Sequence, residues 1–238
     1  MKFGLLEEIT DATPYINSDE WAMEEKLDGM RLQIKKTGNV VTAWTRQGIE
    51  WTLPESVKAL ALSYGRSFHV DGELIGDEFA AFDLLEFAGI PTGHIENKLR
   101  KNGLQELPFL PVYRAESKLE KKELLDYLKR NDGEGVVFKR KNAPYVDGRA
   151  YGFKFKFYRT ETFRVVSVDI AKASCEIERG GRSCGRVRFC VNGDWPKVGD
   201  LCEVRFDSVT KAGKLTRPIW KGLRVDLGPE AVSAPLVS

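Results

Sequence analysis

No Cys-x-x-Cys pair occurs in this chain. Its four cysteines, Cys175, Cys184, Cys190 and Cys202, all fall in the last third. That spacing gives no support for a zinc site, and reduced, half-buried thiols in an intracellular protein are the expectation. Long apolar runs are missing as well. The opening Met1-Lys2-Phe3-Gly4-Leu5-Leu6-Glu7-Glu8 turns acidic before a signal-peptide core can form, and no later run could cross a bilayer. A cytoplasmic location with no membrane partner is therefore expected. Nor is there an excess of charge of one sign. With 37 Lys and Arg against 35 Asp and Glu, the net charge of +2 is too near zero to imply a nucleic-acid partner by itself, so only local clustering can make that case. No internal repeat is present.

What the chain does have is room for one large domain or two modest ones in 238 residues. Residues up to Trp21 read as a short polar lead-in with a Thr13-Pro14 turn and no room for an upstream domain. Met23 to Ile34 reads as a strand, followed by a Thr-Gly-Asn turn and a partner strand from Val40 to Thr45. Pro54, Val57, Leu60, Ala61 and Tyr64, closed by Gly65, have the spacing of an amphipathic helix. His69 to Ile75 and Phe79 to Leu85 are two more strands, and Gly93 to Asn102 is helical. Ser117 and Glu120 form a capping box ahead of Leu124, Leu125 and Leu128, and Asn131-Asp132-Gly133 stops that helix. Val136 to Lys139 and Gly152 to Phe157 complete a first domain, residues 1–159, of mixed strands and helices. The texture then changes. Phe163 to Ile170, Ser174 to Glu178, Gly185 to Val191, Leu201 to Val209 and Arg217 to Val225 are five short strand-like runs between polar turns. A second domain, residues 160–238, is expected to be an all-β barrel of the oligonucleotide-binding type, with the hinge at Arg159 to Thr162. The fold class is α+β, with antiparallel sheets and flanking helices in the first domain.

The chemistry centres on Glu25-Lys26-Leu27-Asp28-Gly29-Met30-Arg31. A lysine becomes a nucleophile near neutral pH only when neighbouring cations or desolvation lower its pKa, so the rest of the chain must supply that setting. Val70-Asp71-Gly72-Glu73-Leu74 puts an acid on an apolar strand, and Phe82-Asp83-Leu84-Leu85 sets an aromatic next to another. Glu134-Gly135-Val136-Val137-Phe138-Lys139 repeats the arrangement, and Lys154-Phe155-Lys156 projects two cations to one strand face. Taken singly, these are a strand-end charge, a core ring, a turn acid and a solvated face.

Their order resembles the covalent nucleotidyltransferases: ATP-dependent DNA ligases, RNA ligases and mRNA capping enzymes. The Lys26 heptad is similar to motif I of that family, Thr45-Arg46-Gln47-Gly48 to motif Ia, Asp71-Gly72-Glu73-Leu74 to motif III and Ala81-Phe82-Asp83-Leu84-Leu85 to motif IIIa. Glu134-Gly135-Val136-Val137 resembles motif IV and Lys154-Phe155-Lys156 motif V. Thr216-Arg217-Pro218 with Leu223-Arg224-Val225-Asp226 is a looser likeness to motif VI. The resemblance spans Lys26 to Asp226 and rests on the ordered set. Arg31 and Arg46 look like the ligase pair that meets a nick 5′-phosphate, and Leu27 stands where capping enzymes usually carry threonine. Within the family this favours a minimal, two-domain, ATP-dependent DNA ligase. An RNA ligase and a non-catalytic nucleic-acid-binding protein are the alternatives.

The resemblance implies roles. Lys26 attacks the α-phosphorus of ATP, and the resulting lysyl-adenylate passes AMP to the 5′-phosphate of nicked double-stranded DNA before the 3′-hydroxyl seals the strand. Lys154 and Lys156 meet the α-phosphate and lower the pKa of Lys26, while Glu134 holds Mg2+ or Mn2+. Phe82 and Val136 cover the two faces of adenine, Glu73 takes a ribose hydroxyl and Glu24 the adenine amino group. Arg217 or Arg224 reaches the pyrophosphate, and the protein acts as a monomer. Duplex contacts are expected from two cationic runs, Lys139-Arg140-Lys141 through Arg149 to Arg159, and Arg179, Arg182, Arg186 and Arg188 on the barrel, lining one DNA face. Tyr145 and Tyr151 interleave the first as in a loop laid along a phosphate backbone.

Overall fold

The computed structural model describes residues 3–131, 133–146, 148–189 and 195–236. The chain divides into two compact units, Met1–Lys156 and Phe157–Ser238, just ahead of the expected hinge. Asp132, Cys190 and Val191, and the side chain of Arg149, lie outside the described residues.

The first unit begins with β1 (Gly4–Glu8), α1 (Thr13–Ile16), β2 (Trp21–Glu25), β3 (Met30–Thr37), β4 (Val40–Thr45) and α2 (Glu55–Ser63). It continues through β5 (Phe68–Ile75), β6 (Glu78–Phe87), β7 (Ile90–Pro91), α3 (Asn97–Leu104), β8 (Leu110–Pro111) and β9 (Arg114–Ala115). It ends with α4 (Lys118–Arg130), β10 (Gly135–Arg140) and β11 (Gly148–Lys156). Two sheets result. One has the order β1-β11-β10-β2-β9, the other β4-β3-β5-β6-β7 with β8 beside β6. The expected single strand from Met23 to Ile34 is in fact two, β2 and β3, one in each sheet. The chain crosses between them at Lys26–Gly29, and this crossing puts the lysine between the sheets. Gly29 is required there: a Cβ would stand 2.4 Å from the Leu74 carbonyl oxygen.

Neither sheet is wholly antiparallel, because β1 runs parallel to β11 and β8 parallel to β6. The polar lead-in is therefore structural, with Leu6 opposite Gly152 and Glu8 opposite Lys154. Alternation in the second sheet sends Leu32, Ile34, Val70 and Leu84 into a core closed by Val57 and Ala61 of α2 and Leu104 of α3. The capping box of α4 is formed, with the Glu120 N–H donating to Ser117 Oγ and the Ser117 N–H to Glu120 Oε2. That helix buries Lys121, Leu124 and Leu128. The Lys121 ammonium donates to the Tyr15 and Ser18 carbonyls and so anchors the turn after α1.

The second unit contains β12 (Arg159–Asp169), β13 (Ser174–Arg179), β14 (Arg182–Arg188), β15 (Leu201–Phe206) and β16 (Ile219–Leu223). All its pairings are antiparallel, in the order β14-β13-β12-β15-β16. Among the described residues this is an open sheet, so the closed barrel is not found. The connection from β15 to β16 folds on itself through a Val209–Leu215 bridge and meets β14 where the Leu215 N–H donates to the Cys184 carbonyl. Hence β14 and β16 share no ladder. Phe163, Val165, Ile177, Val204 and Phe206 fill the core with Cys175, Cys184 and Cys202, which are free and buried.

Candidate active site

A cleft of about 210 Å³ opens between the two sheets of the first unit. It is lined by Gly4 and Leu6 of β1, Glu24 and Glu25 of β2, Lys26, Leu27, Arg31 of β3, Arg46, Glu73 of β5, Phe82 of β6, Val137 and Lys139 of β10 and Tyr151 of β11. Seven of these, Glu24, Lys26, Leu27, Arg31, Arg46, Glu73 and Phe82, were expected at a nucleotide from the motifs.

At the mouth, Lys26 Nζ donates to Glu134 Oε2 at 2.6 Å, and Lys156 Nζ stands 3.2 Å from Oε1 of the same carboxylate. Lys26 follows the last residue of β2 and keeps that strand's direction through its N–H bond to the Gly135 carbonyl. Gly135 has φ +154, and a Cβ there would lie 2.2 Å from the Phe155 carbonyl oxygen. Only glycine lets β10 start this close to β11, so Glu134 turns toward both lysines. Burial opposes ionisation of Glu134, but the two ammonium groups prevail and hold it below the usual carboxylate range. Lys154, on the same strand face as Lys156, pairs with Glu8 at 3.4 Å.

Glu73 is the opposite case. Burial dominates and pushes its carboxyl up to about 7, although Lys26 and Arg31 pull the other way. Arg31 is held in a fork by Asp71, Nε to Oδ1 at 3.0 Å and Nη2 to Oδ2 at 2.7 Å, and donates through Nη1 to the Gly4 carbonyl. Arg46 is exposed, carries no ion pair among the described residues, and also lines an adjoining groove with Lys154 and Glu8.

The inner end is floored by Glu24. Its Oε2 meets Lys139 Nζ at 2.8 Å, and its Oε1 lies 3.2 Å from Lys101 and 3.8 Å from Arg114. Burial again opposes ionisation, yet Lys101, Lys139 and Arg114 outweigh it and hold Glu24 at about 2.

Several expectations are corrected here. Val136 is fully buried and faces away, because β10 alternates and its neighbour Val137 lines the cleft. Lys139 is 3 % exposed and paired with Glu24, with its ammonium 4.6 Å from the Phe82 ring centroid, so it is no duplex contact. Arg140 falls on the opposite face over Trp21, so consecutive cations of this strand cannot line one surface. Nor does Tyr145 lie along a surface loop: its hydroxyl donates to Asp71 Oδ2 at 2.7 Å and accepts from the Gly4 N–H. Tyr151 is buried in the cleft wall. Lys141 leans on Glu116, and Arg179 on Glu161 and the Thr162 carbonyl. Arg182, Arg186 and Arg188 of β14 are exposed and form no ion pair among the described residues. In the second unit Arg217, at φ +48, pairs with Asp207, while Arg224 is forked on Asp226 and meets Glu203.

Sequence reasoning gave no site role to Gly4, Leu6, Asp71, Lys101, Arg114 and Val137, and it put Tyr145 on a surface loop. Of the six, Asp71 and Val137 stood inside motifs.

The family model for RNA ligase matches residues 19–157, more than half of the chain, and the chain belongs to that family. The match covers most of the first unit and every cleft-lining residue except Gly4 and Leu6 of β1. A "Probable DNA ligase" of Streptomyces griseus subsp. griseus is 33% identical over 114 residues, 44% of this chain and 21% of the relative. The chain thus spans about a fifth of that relative's length. Among solved structures, the ligase domain of M. tuberculosis LigD superposes with a TM-score of 0.60 at 20% identity, covering 98% of this chain and 97% of that one. A Lig E DNA ligase gives 0.72 at 21% identity over 94% and 100%. At these identities the likeness is one of fold, and it extends over both units.

Proposed function

We propose that this chain is an ATP-dependent DNA ligase that seals nicks in duplex DNA through a lysyl-adenylate. The observation that carries the reading is the Lys26–Glu134–Lys156 arrangement at the mouth of a cleft walled by Leu6, Phe82 and Val137 and floored by Glu24. Pockets for drug-sized ligands run to roughly 300–1,000 Å³. The cleft is smaller than that, so it takes a planar ring and part of a sugar and leaves the phosphates toward Lys26. Phe82 and Val137 suit the two faces of a base, Glu24 its edge, and Glu73 a ribose hydroxyl.

In the first step Lys26 Nζ attacks the α-phosphorus, the bond to pyrophosphate breaks, and a phosphoramide to AMP forms. Lys156 neutralises charge on the α-phosphate and Lys154 stands behind it, which is the alignment and charge balance that phosphoryl transfer asks of a protein. AMP then passes to the 5′-phosphate of a nick, met by Arg31 and Arg46, and the 3′-hydroxyl displaces it. No cluster of three or more metal-ligating side chains occurs among the described residues. Magnesium needs fewer, since it takes one or two carboxylates plus phosphate and water. Glu134 fits that requirement as the one carboxylate, and a bound ion would supply charge neutralisation for the phosphates.

Intact mass after incubation with ATP and magnesium tests the reading. A gain of one AMP is expected, abolished in Lys26→Ala, and no gain in the unaltered chain rejects it. The matching family model is described as RNA ligase, so nicked DNA and nicked RNA are compared under one condition. Faster sealing of RNA would move the assignment to that activity.

A further inference from the structure

Glu24 lines the cleft, whereas Lys101 of α3 and Arg114 of β9 do not: they stand behind its carboxylate. The ammonium is 3.2 Å from Oε1 but lacks hydrogen-bond geometry, and Glu24 Oε1, Lys101 Nζ and Arg114 Nη2 are all buried without a hydrogen-bond partner. Oε1 is closed to solvent beside Lys101 and Arg114, so its charge is compensated from behind while the carboxylate as a whole lines the cleft. Lys101 makes no other ion pair among the described residues, and its side chain is only 11% exposed although it sits on a short, charge-rich helix. A lysine with nothing else to do that is nonetheless desolvated is placed for its effect on Glu24. Arg114 has further anchors in Asn97 and Glu116, which fix it in position.

We propose that Lys101, backed by Arg114, is a positioning residue that sets nucleobase choice by keeping Glu24 an acceptor-only group. This rests on the nucleotide-binding reading above and goes beyond it. An ionised carboxylate offers lone pairs and no proton. It accepts from the exocyclic amine of adenine and repels the carbonyl oxygen that guanine places at the same edge. A protonated carboxyl could serve either base. The groups facing Glu24 are Lys101, Arg114 and Lys139, all cationic, and together they hold the carboxyl at about 2 against its burial. Without Lys101 the burial that already opposes ionisation gains ground, and the proton returns at a higher pH.

The test compares AMP and GMP attached covalently to the full chain, by intact mass at early times with ATP or GTP and magnesium, from about pH 5 to 9. The unaltered chain is expected to prefer ATP by the same factor at every pH. Lys101→Met should narrow that preference on the order of tenfold, most at the acid end, and Lys101→Arg should restore it. An unchanged, pH-independent preference in a folded Lys101→Met overturns the proposal, as does an equal loss in Lys101→Arg, which would assign the effect to packing. Lys101→Gln, shorter and able to donate to Oε1, carries the same comparison if the methionine variant does not fold. Uptake of neither nucleotide by the unaltered chain would instead strike down the ligase reading on which the proposal stands.

Discussion

Two carboxylates share one cleft and are driven in opposite directions. Glu24 is the more deeply buried, yet is held at about 2, while Glu73, nearer the mouth, is pushed up to about 7. Burial raises both. The difference is in what surrounds them. Glu24 has three cations from three separate elements within 3.8 Å of its oxygens. Among the described residues Glu73 has no such contact, since Lys26 is committed to Glu134 and Arg31 to Asp71. Depth alone therefore does not set a carboxylate's charge; the cations brought within reach of its oxygens do. The floor is a fixed negative charge, and the rim carries an acid that gains or loses a proton near neutrality.

Removing the charge on the floor should have the largest effect. Glu24→Gln leaves three buried cations without their counter-charge, and breaking a buried ion pair from one side costs roughly 3–5 kcal/mol, read from chemical denaturation at neutral pH. Because the folded-state pKa of Glu24 lies below its ordinary value of 4.5, its contribution is complete above that value. It is lost as pH falls toward about 2. The unaltered chain should lose this stability across that window, and Glu24→Gln should lack the corresponding limb.

Glu73→Gln should have a smaller effect of the opposite sign. Its folded-state pKa of about 7 lies above 4.5, so the folded chain binds the proton more tightly than the unfolded one. The cost of ionising it is absent at acid pH, grows as pH rises from 4.5 to about 7, and is complete above that. Glu73→Gln should therefore stabilise the protein above neutrality by on the order of 1–2 kcal/mol, solvent at the cleft mouth screening part of the shift. Below about pH 4 it should be close to neutral. A destabilising Glu73→Gln at pH 8 would mean that Glu73 is paired after all, and the contrast with Glu24 would collapse.

The two carboxylates also mark what the sequence makes legible. Lys26, Glu73, Phe82, Glu134 and Lys156 could be named because each sits in a short run whose order carries information, and the structure collects them around one cleft. The partners of Glu24 could not. Lys101 lies in Asn97–Leu104, where charged residues read as a solvated helix face, and Arg114 in a two-residue strand with no periodicity to register. Their meeting depends on α3 and β9 converging on β2, a long-range event without a local signal. The strand β1 was hidden for a similar reason, since its parallel partner β11 lies at the far end of the unit and no turn marks the pairing. Val137 was different. The alternation of a strand over Gly135–Arg140 was enough to put Val137 and Lys139 on one face and Val136 with Arg140 on the other. Reading the run as a block of charge obscured that pattern. The strands of the second unit were legible as five strand-like runs, but whether they close was not, because closure depends on where the β15–β16 connection lies.

Paired against unpaired charge also separates the two cationic runs, and there the expected effect on the fold is smallest. Lys139 is locked onto Glu24, whereas Arg182, Arg186 and Arg188 stand exposed on β14, an edge strand, with Arg186 and Arg188 on one face. If the β14 arginines meet a duplex, each phosphate contact contributes about 0.9 to the slope of log affinity against log salt. The double variant Arg182→Gln/Arg186→Gln should then weaken binding to nicked DNA at low salt and flatten that slope by about 2. Its unfolding free energy should stay within about 0.5 kcal/mol of the unaltered chain, as for surface substitutions generally. Lys139→Met should do the reverse, lowering stability through the uncompensated Glu24 charge and leaving the salt slope as it was. Binding by the double variant that matches the unaltered chain at every salt concentration would take β14 out of the DNA footprint, and exposure of a cation would no longer identify where this chain meets phosphate.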